Sequence, residues 1–229
     1  RDQGKLDAKL EAAILAADVV GYSRLMGRDE SGTVGRLRTI RQQHLMPVLA
    51  RRGGRIVKLT GDGVLVEFSS AVEALTAAIE FQQTILDHCR SQPEDHAILF
   101  RMGLHLGDLI VEGDDLFGDG VNVAARLEAE APPGGILISR TVHEAVVGRV
   151  DAGFEELGSL RLKNIERPVQ TFAVKWQAGD WRDAHEAVMT DAPAAATPAA
   201  PVPLALPDKP SIAILPFDNM SADPEQEHF

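Results

Sequence analysis

Apolar and polar positions change their spacing several times along the chain, and each change marks an element. AAILAADVV (12–20) is apolar apart from Asp18 and reads as a strand ending in an acid. Residues 29 to 51 bring Val34, Leu37, Ile40, Leu45 and Val48 near helical spacing. Two short strands, 54–59 and 64–68, flank TGDG and form a hairpin. SSAVEALTAAIEFQQTILDHCR is an amphipathic helix with Ser70 as its cap. AILFRMGLHLG returns to strand, DLIVEG reads as a further strand, and FGDGVNVAARLEAEAP turns into a helix. GGILIS is a short strand and TVHEAVVGRV a short helix, and FEELGSLRLKN with VQTFAVKW makes a terminal pair of strands. This order predicts an α+β fold, a mixed sheet flanked by helices.

Beyond residue 177 the pattern stops. From Ala178 to Pro210 the alanines and prolines suit an extended linker with no periodic apolar face. SIAILPFDNMSADPEQEHF (211–229) then begins like a buried strand and is too short to fold alone, so it reads as the start of a second domain. The domain reading is a lead-in over 1–11, a principal domain over 12–177, the linker over 178–210 and the start of a further domain over 211–229.

Composition changes this picture only by exclusion. With 229 residues and 45% hydrophobic content the chain can bury a core. No apolar run reaches a membrane span, and RDQGKLDAKLEAA lacks the basic-then-apolar order of a secretory signal. A net charge of −11 opposes general attraction to nucleic acid or anionic membranes, so any phosphate binding must be local. Cys89 is the only cysteine, which excludes an intrachain disulfide or a cysteine zinc cluster and fits a cytoplasmic setting.

Candidate chemistry begins at KLTGDG (58–63). Hairpin geometry accounts for the Asp-Gly pair and gives Lys58 no role. Asp18 ends a strand, Asp62 stands at the hairpin tip and Asp115 precedes a Leu-Phe-Gly turn; each alone also fits turn chemistry. The end of the first strand and the tip of the following hairpin can lie side by side. Two carboxylates there repel unless a cation joins them, and hard oxygen ligands point to Mg²⁺ or Mn²⁺ held together with substrate phosphates. In GDGVNVAAR, Asn122 and Arg126 stand four apart on one helix face, although Arg126 has Glu128 and Glu130 as alternative surface partners. The strand position of His105 suits a packed histidine better than a ligand.

These motifs carry a resemblance. ADVVGYS (17–23), KLTGDGVLVEF (58–68), FRMGLHLGDL (100–109), DLFGDGVNVAARLE (115–128) and LKNIERPV (162–169) together resemble the catalytic domain of class III nucleotidyl cyclases, from residue 12 to 176. The resemblance implies a ferredoxin-like mixed sheet, and adenylate cyclase activity that converts ATP to 3′,5′-cyclic AMP and pyrophosphate. By that resemblance Asp18, Asp62 and the carbonyl of Val19 bind two divalent ions. Asn122 orients the ribose, Arg126 stabilises charge on the α-phosphate, and Lys163 holds the outer phosphates. Lys58 and Asp115 match the base-reading pair: a lysine donor and a carboxylate acceptor complement adenine, whereas guanine is met by Glu and Cys at those places. Asp114 adjoins Asp115, and a one-residue shift of register exchanges them.

The family also implies a head-to-tail homodimer with active sites shared between the chains. Ala16 replaces the bulky aromatic common two residues before the first metal aspartate, and the hairpin after Gly107 is short, which points to a reduced dimerisation arm. The opening AADVVGYSRLM and the C-terminal PSIAILPFDNMSADPEQ resemble a bacterial subgroup with a TolB-like segment, implying regulation through that part by a partner. The alternatives are a guanylate cyclase, a degenerate nucleotide-binding regulatory module, and a scaffold that uses the fold only to dimerise.

Overall fold

The structure is a computed structural model that describes residues 9–90, 96–112, 115–165 and 167–176. The linker and the TolB-like segment lie outside the described residues, as does most of the lead-in. The chain divides into residues 1–191 and 192–229, and the described residues all fall in the first unit.

β1 (Lys9–Val19) is an interior strand of the sheet. Its alternate residues are buried on opposite faces: Ala13, Leu15, Ala17 and Val19 enter the main core, while Ala12, Ile14 and Ala16 pack with Ala124 on the other side. That double burial is why the sequence shows an unbroken apolar run. After β1 come α1 (Tyr22–Arg28), α2 (Glu30–Ile40), a π-turn over Arg41–Leu45 and α3 (Met46–Arg52). The predicted single helix of 29–51 is therefore interrupted by the wider turn, and α1 is an addition. Asp29 caps α2 by accepting from the backbone N–H of Gly32 at 2.9 Å.

β2 (Arg55–Thr60) and β3 (Gly63–Phe68) form the predicted hairpin. α4 (Ala71–Arg90) follows, with the backbone N–H of Glu73 donating to Ser70 Oγ at 3.4 Å. β4 (Phe100–Glu112) is a single strand, so Asp108–Glu112 of the predicted strand DLIVEG continue β4 and are not a separate element. It turns back into β5 (Asp115–Phe117), pairing Glu112 with Asp115. α5 (Asp119–Glu130), β6 (Ile136–Ser139), α6 (Arg140–Val146), β7 (Gly153–Leu160) and β8 (Val169–Lys175) complete the domain.

The sheet runs β2-β3-β1-β4-β6-β8-β7, with β5 paired to β4. Its first four strands, joined through the α1–α3 segment, the hairpin and α4, have the order and antiparallel pairing of a ferredoxin-like unit. β6 lies parallel to β4, which makes the sheet mixed, as the sequence predicts.

One contact sets the height of α5 above the sheet. A Cβ built on Gly103 of β4 would lie 2.2 Å from the Glu128 nitrogen and 2.3 Å from the Ala124 oxygen. Only glycine lets the helix backbone come this close, so Gly103 fixes where Asn122, Arg126 and Glu128 stand relative to β1 and β4.

Candidate active site

Asp18 is the penultimate residue of β1, and Asp62 sits in the turn between β2 and β3. Because β3 pairs with β1 from Ala17↔Val64 onward, the turn lies beside the end of β1. The two carboxylates are thereby brought close enough for the charge of one to act on the other. Burial raises the pKa of Asp62 first, and the charge of Asp18 raises it further, against the opposing pull of its own backbone N–H and of Arg41.

The local sequence builds this meeting. Gly61 has φ +55°, which allows the tight turn. Gly63 leaves space beside the first acid: a side chain there would begin 3.3 Å from Asp18 Oδ1 and 2.7 Å from Thr60 Oγ1. From the π-turn, Arg41 donates through Nη2 to the carbonyl oxygens of Gly61 and Gly63, clamping the turn that carries Asp62.

Asp18 has a partner that sequence reading missed. Arg101 lies directly opposite it across the β1–β4 ladder, and its Nη2 donates to Asp18 Oδ2 at 3.1 Å. On its other side, Arg101 Nε stands 2.7 Å from Glu128 Oε1 of α5, without the alignment of a hydrogen bond. Glu128 is mostly buried, and burial is the main reason its pKa is pushed up to about 7; Arg101 opposes the rise, while the charges of Asp18 and Asp62 add to it. The available signal was a lone arginine within the apolar strand FRMGLHL, a position that calls for an ionic partner.

On α5, Asn122 is exposed and Arg126 half-buried. Gly118, with φ +150°, precedes the helix, which begins at Asp119. Arg126 pairs with neither Glu128 nor Glu130: its Nε donates to the backbone carbonyl of Lys163 at 3.1 Å. Lys163 itself is exposed in a turn and not in a terminal strand, because β7 ends at Leu160 and Asn164 takes φ +63°. Among the described residues, no hydrogen bond or ion pair joins Asn122, Arg126 or Lys163 to the Asp18–Asp62 pair within one chain.

Lys58 is exposed on β2, paired in register with Leu65. Asp115 opens β5, and β5 comes near β2 without pairing with it, so the two base-reading candidates stand on strands that approach each other. The side chain of Asp115 and the whole of Asp114 fall outside the described residues. His105 is packed, as the sequence suggested: its Nδ1 lies 2.9 Å from Ser139 Oγ, and burial lowers its pKa.

The paired acids and the space at Gly63 suit a hard divalent cation. Among the described residues, no group of three or more His, Cys, Asp and Glu side chains is arranged to hold one. Asp18 and Asp62 alone would give only part of a coordination sphere, an arrangement that would suit Mg²⁺, an ion that keeps waters and takes phosphate oxygens as ligands.

A ferredoxin-like sheet, two acids meeting at the hairpin tip and an Asn/Arg face on α5 are the features that the resemblance to nucleotidyl cyclases implies. The chain belongs to the adenylate and guanylate cyclase catalytic domain family, whose model matches residues 6–175. It is 52% identical over 218 residues to a Rhizobium meliloti protein named "Putative adenylate cyclase 3", covering 95% of this chain and 35% of that one. It is 32% identical over 184 residues to an adenylate cyclase of Streptomyces coelicolor, covering 77% of this chain and 46% of the relative. The chain thus spans half or less of either protein. A crystal structure described as an adenylate/guanylate cyclase/hydrolase from Silicibacter pomeroyi superposes with a TM-score of 0.70 at 43% identity, covering 73% of this chain and 98% of that one. The adenylyl cyclase CyaB from P. aeruginosa shares the fold, with a TM-score of 0.65 at 22% identity, covering 76% of this chain and 97% of that one. Among the described residues, no helix is long and apolar enough to cross a membrane.

Proposed function

We propose that this domain is an adenylate cyclase that converts ATP to 3′,5′-cyclic AMP and pyrophosphate. The observation that carries the reading is the meeting of two half-buried carboxylates, Asp18 and Asp62, of which Asp62 is made harder to ionise by burial and by the charge of Asp18, in a domain of the cyclase family. Asp18, Asp62 and the backbone carbonyl of Val19 would hold two Mg²⁺ or Mn²⁺ ions, which when bound lower the pKa of the ribose 3′-hydroxyl and neutralise the triphosphate.

The other residues position and stabilise. Asn122 orients the ribose. Arg126, anchored through Nε to the Lys163 carbonyl, directs its remaining guanidinium N–H groups at the α-phosphate as charge builds there. Lys163 takes the outer phosphates. Lys58 donates to adenine N1 and Asp115 accepts from the N6 amine, an edge that guanine does not present. The 3′-oxygen forms a bond to the α-phosphorus and loses its proton to solvent. The bond from the α-phosphorus to the bridging oxygen breaks, and pyrophosphate departs with that electron pair.

Among the described residues no hydrogen bond or ion pair joins Asn122, Arg126 or Lys163 to the Asp18–Asp62 pair within one chain, which favours a site completed by a second copy. In a head-to-tail homodimer the acids of one protomer would face the helix α5 and the base-reading strands of its partner, giving two equivalent sites. A cytoplasmic setting and regulation through the C-terminal segment go with this reading. The test is incubation of the wild-type chain and Asp62→Ala with ATP and Mn²⁺, followed by chromatography. Cyclic AMP from the first and none from the second supports the proposal; no cyclic product from the wild type refutes it.

A further inference from the structure

Arg101 has two acidic neighbours from two different elements. Its place opposite Asp18 is set by the β1–β4 register, and that of Glu128 by the seating of α5 on Gly103. Both contacts are partly shielded: the side chains of Asp18, Arg101 and Glu128 are 24%, 33% and 12% exposed. The guanidinium also reaches the Ala129 carbonyl at 3.4 Å through Nη1. The Asp18 contact is an aligned hydrogen bond, and the Glu128 contact, though shorter, is not. One guanidinium thus stands between the acidic pair and a third carboxylate that feels the charge of both acids.

We propose that Arg101 is the resident counter-cation of the acidic pair in the metal-free protein, and that Glu128 is a positioning residue that draws Arg101 off Asp18 when a divalent cation takes its place. Two cations on one carboxylate repel, so a metal ion on Asp18 would weaken the hold of Oδ2 on the guanidinium and favour its release. Glu128 gives the displaced charge a partner 2.7 Å away, so the release does not leave a half-buried arginine unpaired. Without Glu128, Arg101 would have Asp18 as its ionic partner and would compete harder with metal. Without Arg101, the repulsion between Asp18 and Asp62 would be relieved only by Arg41, and the pair would bind metal more readily.

This inference rests on the reading of Asp18 and Asp62 as metal ligands, and its test separates the two. Mn²⁺ alone, without nucleotide, is titrated into the full 229-residue chain at pH 8, and free Mn²⁺ is read by electron paramagnetic resonance. Arg101→Gln should tighten binding and Glu128→Gln should weaken it, each by about two- to fivefold, the range of a partly exposed ion pair. Arg101→Lys, which keeps the charge, should bind as the wild type does.

In the double variant, Glu128→Gln should add nothing to Arg101→Gln, because Glu128 acts through Arg101. Opposite signs in the single variants are not what a merely structural role would give. Unchanged or weakened Mn²⁺ binding in Arg101→Gln overturns the inference, as does unchanged binding in Glu128→Gln, the variant that decides if Arg101→Gln fails to fold. Mn²⁺ binding that survives Asp62→Ala undiminished overturns instead the assignment of the acidic pair.

Discussion

Replacing Gly103 with alanine tests how the sheet holds the helix that carries Asn122 and Arg126. The new Cβ would meet three backbone atoms of α5, at 2.2 Å (Glu128 N), 2.3 Å (Ala124 O) and 2.8 Å (Leu127 C). No side-chain rotation relieves a clash with backbone, so α5 has to rise by about 1 Å to restore ordinary contact. Overpacking of this kind costs about 1–3 kcal/mol. For a domain of this size each kcal/mol lowers Tm by about 2–4 °C, so a fall of about 2–12 °C is expected. A displacement of about 1 Å in positioning residues costs about 100-fold in rate, and cyclic AMP formation should fall by that order. Gly35 is the matched control: it lies in α2 with nothing within 4 Å of its added Cβ, and alanine there should be neutral or raise stability by about 0.5–1 kcal/mol. Thermal unfolding with a cyclase assay at saturating ATP reads both. Gly103→Ala with unchanged Tm and unchanged rate would falsify the close seating of α5.

Three further outcomes follow from the site. Asp62→Ala and Arg126→Ala should each abolish activity, yet mixed in equal amounts they should recover part of it, because one site of a mixed dimer keeps all its residues; no recovery with dimers confirmed by sedimentation counts against the shared site. Arg41→Ala removes the clamp on the Gly61 and Gly63 carbonyls, worth about 1 kcal/mol, and should raise the Mn²⁺ concentration for half-maximal activity several-fold, with Arg41→Lys restoring part of it. The pKa of Glu128, raised from 4.5 to about 7, means that the folded metal-free domain holds a proton that the unfolded chain has already lost over that interval. Its contribution to stability therefore declines as pH rises from about 4.5 to 7, and Glu128→Gln should flatten that decline in urea midpoints measured at pH 5 and pH 7.5.

Much of this site was legible in KLTGDG and AAILAADVV because both signals are local. A strand run ending in an acid and a glycine-flanked acid at a hairpin tip place two carboxylates on adjacent sheet ends once β1 and β3 pair. The helix face of Asn122 and Arg126 was legible for the same reason, from a spacing of four. What escaped depends on contacts between distant segments. The pairing of Arg101 with Asp18 and Glu128 requires the β1–β4 register and the height of α5 together. The turn at Lys163 hides in RLKN, where nothing in the strand-like pattern marks the left-handed Asn164. α1 is only seven residues long with one buried position, Leu25, too short for its periodicity to show. The π-turn at Arg41 leaves no mark on apolar spacing, yet it carries the arginine that clamps the Asp62 turn.

The central claim is that Lys58 and Asp115 make this a cyclase for ATP. Equimolar ATP and GTP offered to the chain in one tube with Mn²⁺, with both cyclic products quantified by chromatography, test it most directly. The account predicts cyclic AMP in large excess over cyclic GMP; cyclic GMP as the main product would contradict it.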